Sequence, residues 1–303
     1  MQILSPLRPV LTGMCCLALG PGMMGIYGFF VEPLSKEFDV GVAMLNVGPV
    51  ALLLVPAILG SWIGKMADQL PIRNILLIGV TLGMLSLMAI TAAPALWLVA
   101  LGFLSFSLGL TLYGPVVING LMVKLYSGRE ARALAIVAIG ISLASAILPP
   151  LVGTLLEHTS WRLALLSLAA GALVILWLAI LTGIPKGIVL TPTTDKATVA
   201  KGFYSNKAFW LIGLCVALAL NVAIVLAVCY PPLFASKGYT MGDAGWFLAL
   251  GGVSGLVGKS CLAWLGDGVR HYVKWLAAAM LFLQSAGLGL LFIASDTSQM
   301  IPA

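Results

Sequence analysis

Lys259 is the residue of this chain whose type and position have the most specific chemical consequence. It lies in a predicted membrane-spanning segment, 242–266. It comes about seven residues before the segment ends, and so roughly 10 Å inside it. A cation at that depth is costly and usually faces the interior of a helix bundle or a water-filled cavity. We therefore predict that Lys259 attracts the negative group of a bound molecule. In the alternative, which stays open, its long stem carries the ammonium to the lipid headgroups.

Few other polar side chains lie within the apolar segments. Tyr27, Asn46, Tyr113, Asn119 and Asn221 are candidates to line a substrate cavity, and Tyr113 and Asn221 fall near the middle of their segments. Polar side chains in membrane helices also hydrogen-bond between helices, for about 0.6 kcal/mol each on average. The sequence leaves both roles open for each of these residues.

The acidic residues lie at the ends of the segments rather than at mid-depth. Glu32 and Glu157 flank one side of the membrane, and Asp68 and Asp267 flank the other. Proton-coupled carriers often use a buried carboxylate as a relay, so this placement argues mildly against such coupling within this chain. The two histidines lie at membrane edges, which argues against an intramembrane enzyme. We expect no catalytic residue, no metal ligand and no cofactor.

These residues are carried by nine apolar segments, each long enough to cross a bilayer. A spanning helix needs about 20 predominantly apolar residues, and here only 9% of the residues are charged and the mean hydropathy is +1.11. The segments are 9–31, 43–65, 74–93, 95–122, 131–156, 161–184, 208–234, 242–266 and 272–294. The sequence therefore predicts an all-α polytopic membrane protein.

The distribution of basic residues predicts the orientation in the membrane. With the N-terminus in the cytoplasm, thirteen of the sixteen Lys and Arg residues lie on the cytoplasmic side, and only Lys36, Arg162 and Lys237 lie outside. This bias follows the positive-inside rule, and nine segments then place the end of the chain outside. Because the basic residues do not cluster as a groove requires, the net charge of +6 does not indicate a nucleic-acid partner.

Composition also divides the chain into three parts. Six segments occupy 1–184, a linker with several Thr, Pro and Lys residues occupies 185–207, and three segments occupy 208–303. We predict a six-helix bundle, a cytoplasmic linker and a partial second bundle. No stretch between the segments is long enough for a soluble domain.

A weak internal repeat relates the first part to the last. After the second segment the chain carries Gly64 and Asp68, with Arg73 beyond them. After the eighth segment it carries Asp267, with Arg270 beyond it. A duplicated half predicts such a feature on the second segment of each part. Six segments, a linker and three segments therefore look like a six-plus-six plan that lacks its last three helices.

The loop after the second segment resembles that of the major facilitator superfamily, which typically contains Gly-x-Leu-Ala-Asp-Arg-x-Gly-Arg-Arg. The matching residues are Gly64, Ala67, Asp68 and Arg73, and the departures are Gln69 and Pro71. Residues 27–38, 129–136 and 149–162 resemble the monocarboxylate-porter-like branch. The resemblance implies a conformational latch at the cytoplasmic end, formed by Gly64, Asp68, Arg73, Asp267 and Arg270. It also implies that a basic residue at the position of Lys259 attracts an anionic substrate.

The resemblance and Lys259 together predict a secondary active transporter. It would move a small organic anion, with monocarboxylates as the first candidates, across the cell (inner) membrane by alternating access. Its partners would be that anion and membrane lipid. Whether transport is coupled to an ion is left open. The alternative is a truncated, non-transporting protein or a receptor or scaffold on the same fold. With three helices in the second bundle against six in the first, we expect the chain as printed to insert but to transport poorly.

Overall fold

The computed structural model describes residues 7–45, 47–189, 206–265 and 273–293. Over these residues the chain is helical and forms no strand. This confirms the predicted all-α class. The physical reason is that lipid offers no hydrogen-bond partners to the backbone, and a helix pairs its own N–H and C=O groups.

Twelve helices follow one another along the described residues. They are α1 (Arg8–Gly25), α2 (Tyr27–Phe38), α3 (Val42–Leu45), α4 (Gly48–Ala67), α5 (Ile72–Ile90), α6 (Leu96–Tyr113), α7 (Pro115–Leu125), α8 (Glu130–His158), α9 (Trp161–Gly183), α10 (Lys207–Ser236), α11 (Met241–Leu265) and α12 (Val273–Ile293).

Within the described residues, six helical spans are long and apolar enough to cross a membrane, and the bent pair α1 and α2 makes a seventh. These spans coincide with the first seven of the nine predicted segments. The eighth and ninth segments are helical, as α11 and α12, but they do not meet the same test over the described residues. Membrane crossing by these two helices stays a prediction.

The first and the fourth predicted segments are each interrupted by a break in the helix. Helices α1 and α2 meet at Ile26 at an angle of 42°. Helix α6 ends before Gly114, whose backbone is extended, and Pro115 opens α7. Proline lacks the N–H that would continue the earlier helix and fits the first turn of a new one. The fourth predicted segment is therefore one span built of two helical pieces.

Helices α5 and α6 approach each other through glycines. A Cβ atom placed on Gly109 would lie 2.5 Å from the amide nitrogen of Gly83 and 2.6 Å from the carbonyl oxygen of Gly79. Such small residues let two backbones come into direct contact, which is a main source of helix association in lipid. The pair α5 and α6 therefore forms a tightly packed part of the first nine helices.

Arg162, at the start of α9, joins three elements at the predicted outer end. Its guanidinium pairs with the Glu37 carboxylate of α2 at 2.5 Å and lies 4.7 Å from the centre of the Trp161 ring. It also donates to the carbonyl of Thr91 and, at 3.1 Å, to that of Ala93. These carbonyls follow the last turn of α5 and have no partner within that helix. Arg162 thus ties α2 and α9 to the end of α5.

Replacing Arg162 by alanine is expected to destabilise the protein by about 1.5–3 kcal/mol, because it removes charge-assisted hydrogen bonds and leaves two carbonyls unpaired. Thermal unfolding in detergent measures the change. The control is Lys36→Ala, which removes the exposed Lys36–Glu32 pair of 2.6 Å and should cost less than about 1 kcal/mol. Equal losses in the two variants would contradict the assignment of Arg162 as a joint between elements.

Candidate functional site

Helices α8 and α11 touch backbone to backbone along one side. A Cβ atom on Gly245 would lie 2.6 Å from the carbonyl oxygen of Pro149, and one on Gly252 would lie 2.3 Å from the amide nitrogen of Ala146. Only glycine fits so close to another backbone. We call this contact, centred on Gly245 and Gly252 of α11, the glycine seam. It joins the first nine helices to the helices that follow the linker.

Lys259 continues the same face of α11. It lies seven residues, or about two turns, after Gly252, so its side chain points toward α8. The ammonium donates a hydrogen bond to the hydroxyl oxygen of Ser142 at 2.8 Å and another to the carbonyl oxygen of Ala138 at 3.4 Å. Both acceptors belong to α8. The lysine therefore bridges the seam near its predicted cytoplasmic side.

The surroundings of Lys259 are short of negative charge. The side chain is half-buried, Ser142 is 4% exposed, and both acceptors are neutral. Neither of the two ion pairs among the described residues includes Lys259. A partly buried cation with neutral partners is a favourable place for a small anion. The cation has lost part of its hydration, and the negative charge of a bound anion compensates for that loss. The ammonium points across to α8, and this geometry favours the bundle-facing prediction over snorkelling.

The two predicted tyrosines are buried within the first nine helices. The Tyr27 hydroxyl donates to the carbonyl of Leu45 at 2.7 Å, and the ring meets Phe103 edge-on with centroids 5.2 Å apart. Tyr113 is 0% exposed, and its hydroxyl finds no hydrogen-bond partner among the described residues. In this conformation the Tyr113 hydroxyl is closed off, whereas Tyr27 lines a cavity of about 180 Å³ with its hydroxyl bonded to Leu45. Contact of either tyrosine with a substrate stays a prediction.

The predicted asparagines lie in different surroundings. Asn119 on α7 and Asn221 on α10 are both exposed, and their side chains are accessible to water, lipid or a ligand. Asn46 lies outside the described residues. The hydrogen bonds of Lys259 and Tyr27 go to residues outside the predicted set. Among the predicted substrate residues that the structure describes, no direct bond joins one to another.

Three of the five predicted latch residues are described. Gly64 lies in the last turn of α4 and Asp68 directly follows that helix, where the Asp68 N–H donates to the Gly64 carbonyl at 3.2 Å. Arg73, in the first turn of α5, lines a cleft together with Lys186, and neither ion pair of the described residues joins it to Asp68. Asp267 and Arg270 lie outside the described residues. The latch therefore stays a prediction.

A second polar contact between α8 and α11 lies at the other end of the seam. The Glu157 carboxylate accepts a hydrogen bond of 2.9 Å from the Gly242 N–H, in the first turn of α11. A carboxylate is favoured there because the first N–H groups of a helix lack internal partners and carry partial positive charge. On the same predicted outer side, a Cβ on Gly28 of α2 would lie 2.6 Å from the Ala227 carbonyl of α10.

The sequence analysis did not identify Ser142, or the bond that Glu157 makes. Ser142 is a single serine in a long apolar segment, and serines are common in membrane helices. A signal exists in the small residues Gly245, Ala249 and Gly252, which share one face of α11 with Lys259. These small residues indicate that α11 packs closely against another helix. They do not indicate that this helix is α8, or which residues of α8 it contacts.

The fold and the seam define a polytopic helical membrane protein in which two groups of helices meet face to face. The model of the Major Facilitator Superfamily matches residues 13–302. The chain therefore belongs to this superfamily of membrane transporters, and the predicted superfamily and fold class are confirmed. The monocarboxylate-porter-like branch stays a prediction. Among curated proteins, no significant match was found.

Solved transporter structures share the fold. A bacterial homologue of the human lysosomal transporter Spinster, in an inward-facing and unoccupied conformation, matches with a TM-score of 0.76 and 16% identity over 98% of this chain and 71% of its own. A mutant peptide transporter POT with sulfate matches with a TM-score of 0.63 and 15% identity, over 98% and 77%. A D-xylose–proton symporter matches with 0.58 and 16%, over 83% and 66%. At these identities the likeness shows the fold alone.

Proposed function

We propose that this chain serves a secondary active transporter of a small organic anion, with monocarboxylates as the first candidates. The observation that supports this most is the Lys259 ammonium, which lies at the junction of the two helix groups with Ser142 as its nearest partner at 2.8 Å. Superfamily membership supports transport, and the charge of Lys259 supports an anion.

The electrostatics favour a carboxylate over a neutral solute. In the half-buried surroundings of Lys259 an ion pair is screened less than in water. A carboxylate could accept hydrogen bonds from both the ammonium and the Ser142 hydroxyl, and bonds between ionised groups are roughly twice as strong as neutral ones. The accessible Asn119 and Asn221 would contribute polar contacts. Tyr27 would do so from the cavity that it lines, and Tyr113 only after a conformational change.

The glycine seam and the predicted latch would both act in alternating access. We infer that 1–184 and 208–303 act as two bundles that rock about the glycine seam, with 185–207 as a cytoplasmic linker. Glu157 and Gly242 would hold the outer end closed in the conformation described above. When the outer end opens, Gly64, Asp68, Arg73, Asp267 and Arg270 would close the cytoplasmic end.

Replacing Lys259 by glutamine is expected to reduce kcat/KM for the anion about 10- to 100-fold. The reason is that a hydrogen bond to a charged group contributes about 1.5–3 kcal/mol, and each 1.4 kcal/mol is about tenfold. Uptake of labelled acetate, lactate and pyruvate into proteoliposomes measures it, with the corresponding amides as neutral competitors. Lys259→Arg should retain part of the activity, since it keeps the charge.

Lys207→Gln is the matched control, because Lys207 is an exposed lysine at the predicted cytoplasmic end of α10 and should leave uptake unchanged. Equal kcat/KM in wild type and Lys259→Gln would contradict an anion site at Lys259. Binding of the carboxylate without saturable counterflow would instead indicate a receptor or scaffold on the same fold.

A further inference from the structure

A cleft at the predicted cytoplasmic end is separate from the seam. It lies between the first turn of α5 and the end of α9, and its volume is about 450 Å³. The polar side chains that line it are those of Arg73, Asn74 and Lys186, and Leu77 and Leu181 form its apolar walls. We call it the basic cleft.

The backbone holds the basic cleft in shape. The Ile72 N–H, at the start of α5, donates to the Ile188 carbonyl at 2.9 Å, which fixes the segment after α9 against the first turn of α5. Gly187 has a φ of +81°, a conformation that glycine adopts without steric cost. This turn brings Lys186 to the cleft that Arg73 lines. The backbone therefore places both cations at the same cleft.

Among the described residues, none that lines the basic cleft balances its positive charges. Arg73 is half-buried, Lys186 is exposed, and neither takes part in the two ion pairs among the described residues. The six described side chains that line the cleft, with Pro71 as the sixth, include no carboxylate. Two cations facing one cavity repel each other, and an anion between them removes that cost. The cleft therefore favours a ligand with a negative group.

The walls of the cleft favour a ligand that is also apolar. Leu77 lies one turn after Arg73 on α5, and Leu181 lies one turn or so before Lys186. Beyond the cleft the same two helices expose apolar side chains, with Ile78 60% and Leu178 59% exposed. A headgroup held by the cations would thus continue into acyl chains lying along α5 and α9.

We propose that the basic cleft binds the phosphate of an anionic phospholipid from the cytoplasmic leaflet. That leaflet carries the anionic lipids, and basic pockets between membrane helices on this side bind such headgroups. Free inorganic phosphate is also an anion, but it has no apolar part to contact Leu77 and Leu181, so the lipid is the ligand that matches the whole cleft. This proposal does not depend on which solute is transported.

The test compares the affinity of the purified chain for phosphatidylglycerol in phosphatidylcholine nanodiscs, measured by native mass spectrometry. The expected loss is about fivefold for Lys186→Gln and about thirtyfold for the double variant Arg73→Gln with Lys186→Gln. Lys186 is exposed and outside the helices, so the single variant should fold. The control is Lys65→Gln with Lys207→Gln, which removes two exposed cations at the same end.

The outcomes separate the possible ligands. If the control variant loses as much affinity for the lipid as the double cleft variant, the lipid is attracted to the basic surface in general, and the proposed site is overturned. Unchanged affinity in both cleft variants would also overturn the site. A third arm adds inorganic phosphate at the concentration of phosphatidylglycerol. Retention of the lipid supports the proposal, whereas release of the lipid by phosphate would overturn the lipid assignment in favour of a free anion.

Discussion

Replacing Gly252 by leucine is expected to lower transport by at least about tenfold while the first nine helices stay folded. A Cβ atom at this position would lie 2.3 Å from the amide nitrogen of Ala146 and 2.5 Å from the carbonyl carbon of Ser145. These are backbone atoms of α8 and cannot rotate away, so α11 must move outward. Such a shift breaks the bond between Lys259 and Ser142, and misplacement by about 1 Å is enough to cost about 100-fold in an active site.

The adjacent glycine provides a matched control for this variant. Gly251 is exposed, and a Cβ placed there has no atom within 4 Å. Gly251→Leu should therefore retain transport close to wild type, although both variants change the helix propensity of α11 by the same amount. Counterflow of labelled lactate into proteoliposomes, normalised to inserted protein, measures both. Wild-type transport in Gly252→Leu would show that the closed seam has no part in the transport cycle.

Replacing Gly109 by leucine is expected to have the largest effect on stability, with a fall in Tm of about 5–10 °C. The new Cβ would lie 2.5 Å from Gly83 N and 2.6 Å from Gly79 O, both on α5. Overpacking a tight interface costs about 1–3 kcal/mol or more, and about 2–4 °C accompanies each kcal/mol in a chain of this size. In lipid, no hydrophobic gain offsets the lost contact.

Gly171→Leu is the control for Gly109→Leu. Gly171 lies in α9, is exposed, and has open space around an added Cβ. Because leucine is also a better helix former than glycine, this variant should keep or slightly raise Tm. Thermal unfolding followed by circular dichroism in detergent compares the two. Equal Tm values for both variants would mean that α5 and α6 can separate without cost, contrary to their packing here.

The helical segments could be predicted from the sequence because lipid restricts the backbone so strongly. Runs such as 161–184 must form helices to satisfy their own N–H and C=O groups, and the structure has Trp161–Gly183 there. The break at Gly114 was not predicted, although Pro115 was visible, because hydropathy within 95–122 does not change at that point. For the same reason, the bend between α1 and α2 at Ile26 was missed.

The candidate site was predictable only in part. Lys259 stands out in the sequence because a charge within an apolar segment is expensive whatever surrounds it. Its partner Ser142 lies 117 residues away along the chain, and one serine costs little in a membrane helix. Tyr113 looked equally promising at mid-depth, yet it is closed off from the surface. Which face of a helix points inward depends on packing that a single segment does not encode.

The sequence by itself determined that the chain is a helical membrane protein of the major facilitator type and that Lys259 is a charge that needs an explanation. Both follow from local composition, because the cost of polar groups in lipid applies residue by residue. Only the tertiary structure decided that Lys259 bonds Ser142 across the glycine seam and that Arg73 and Lys186 share the basic cleft. Those pairings depend on the register and distance of separate helices, and the glycines that permit such close contact do not specify their partners.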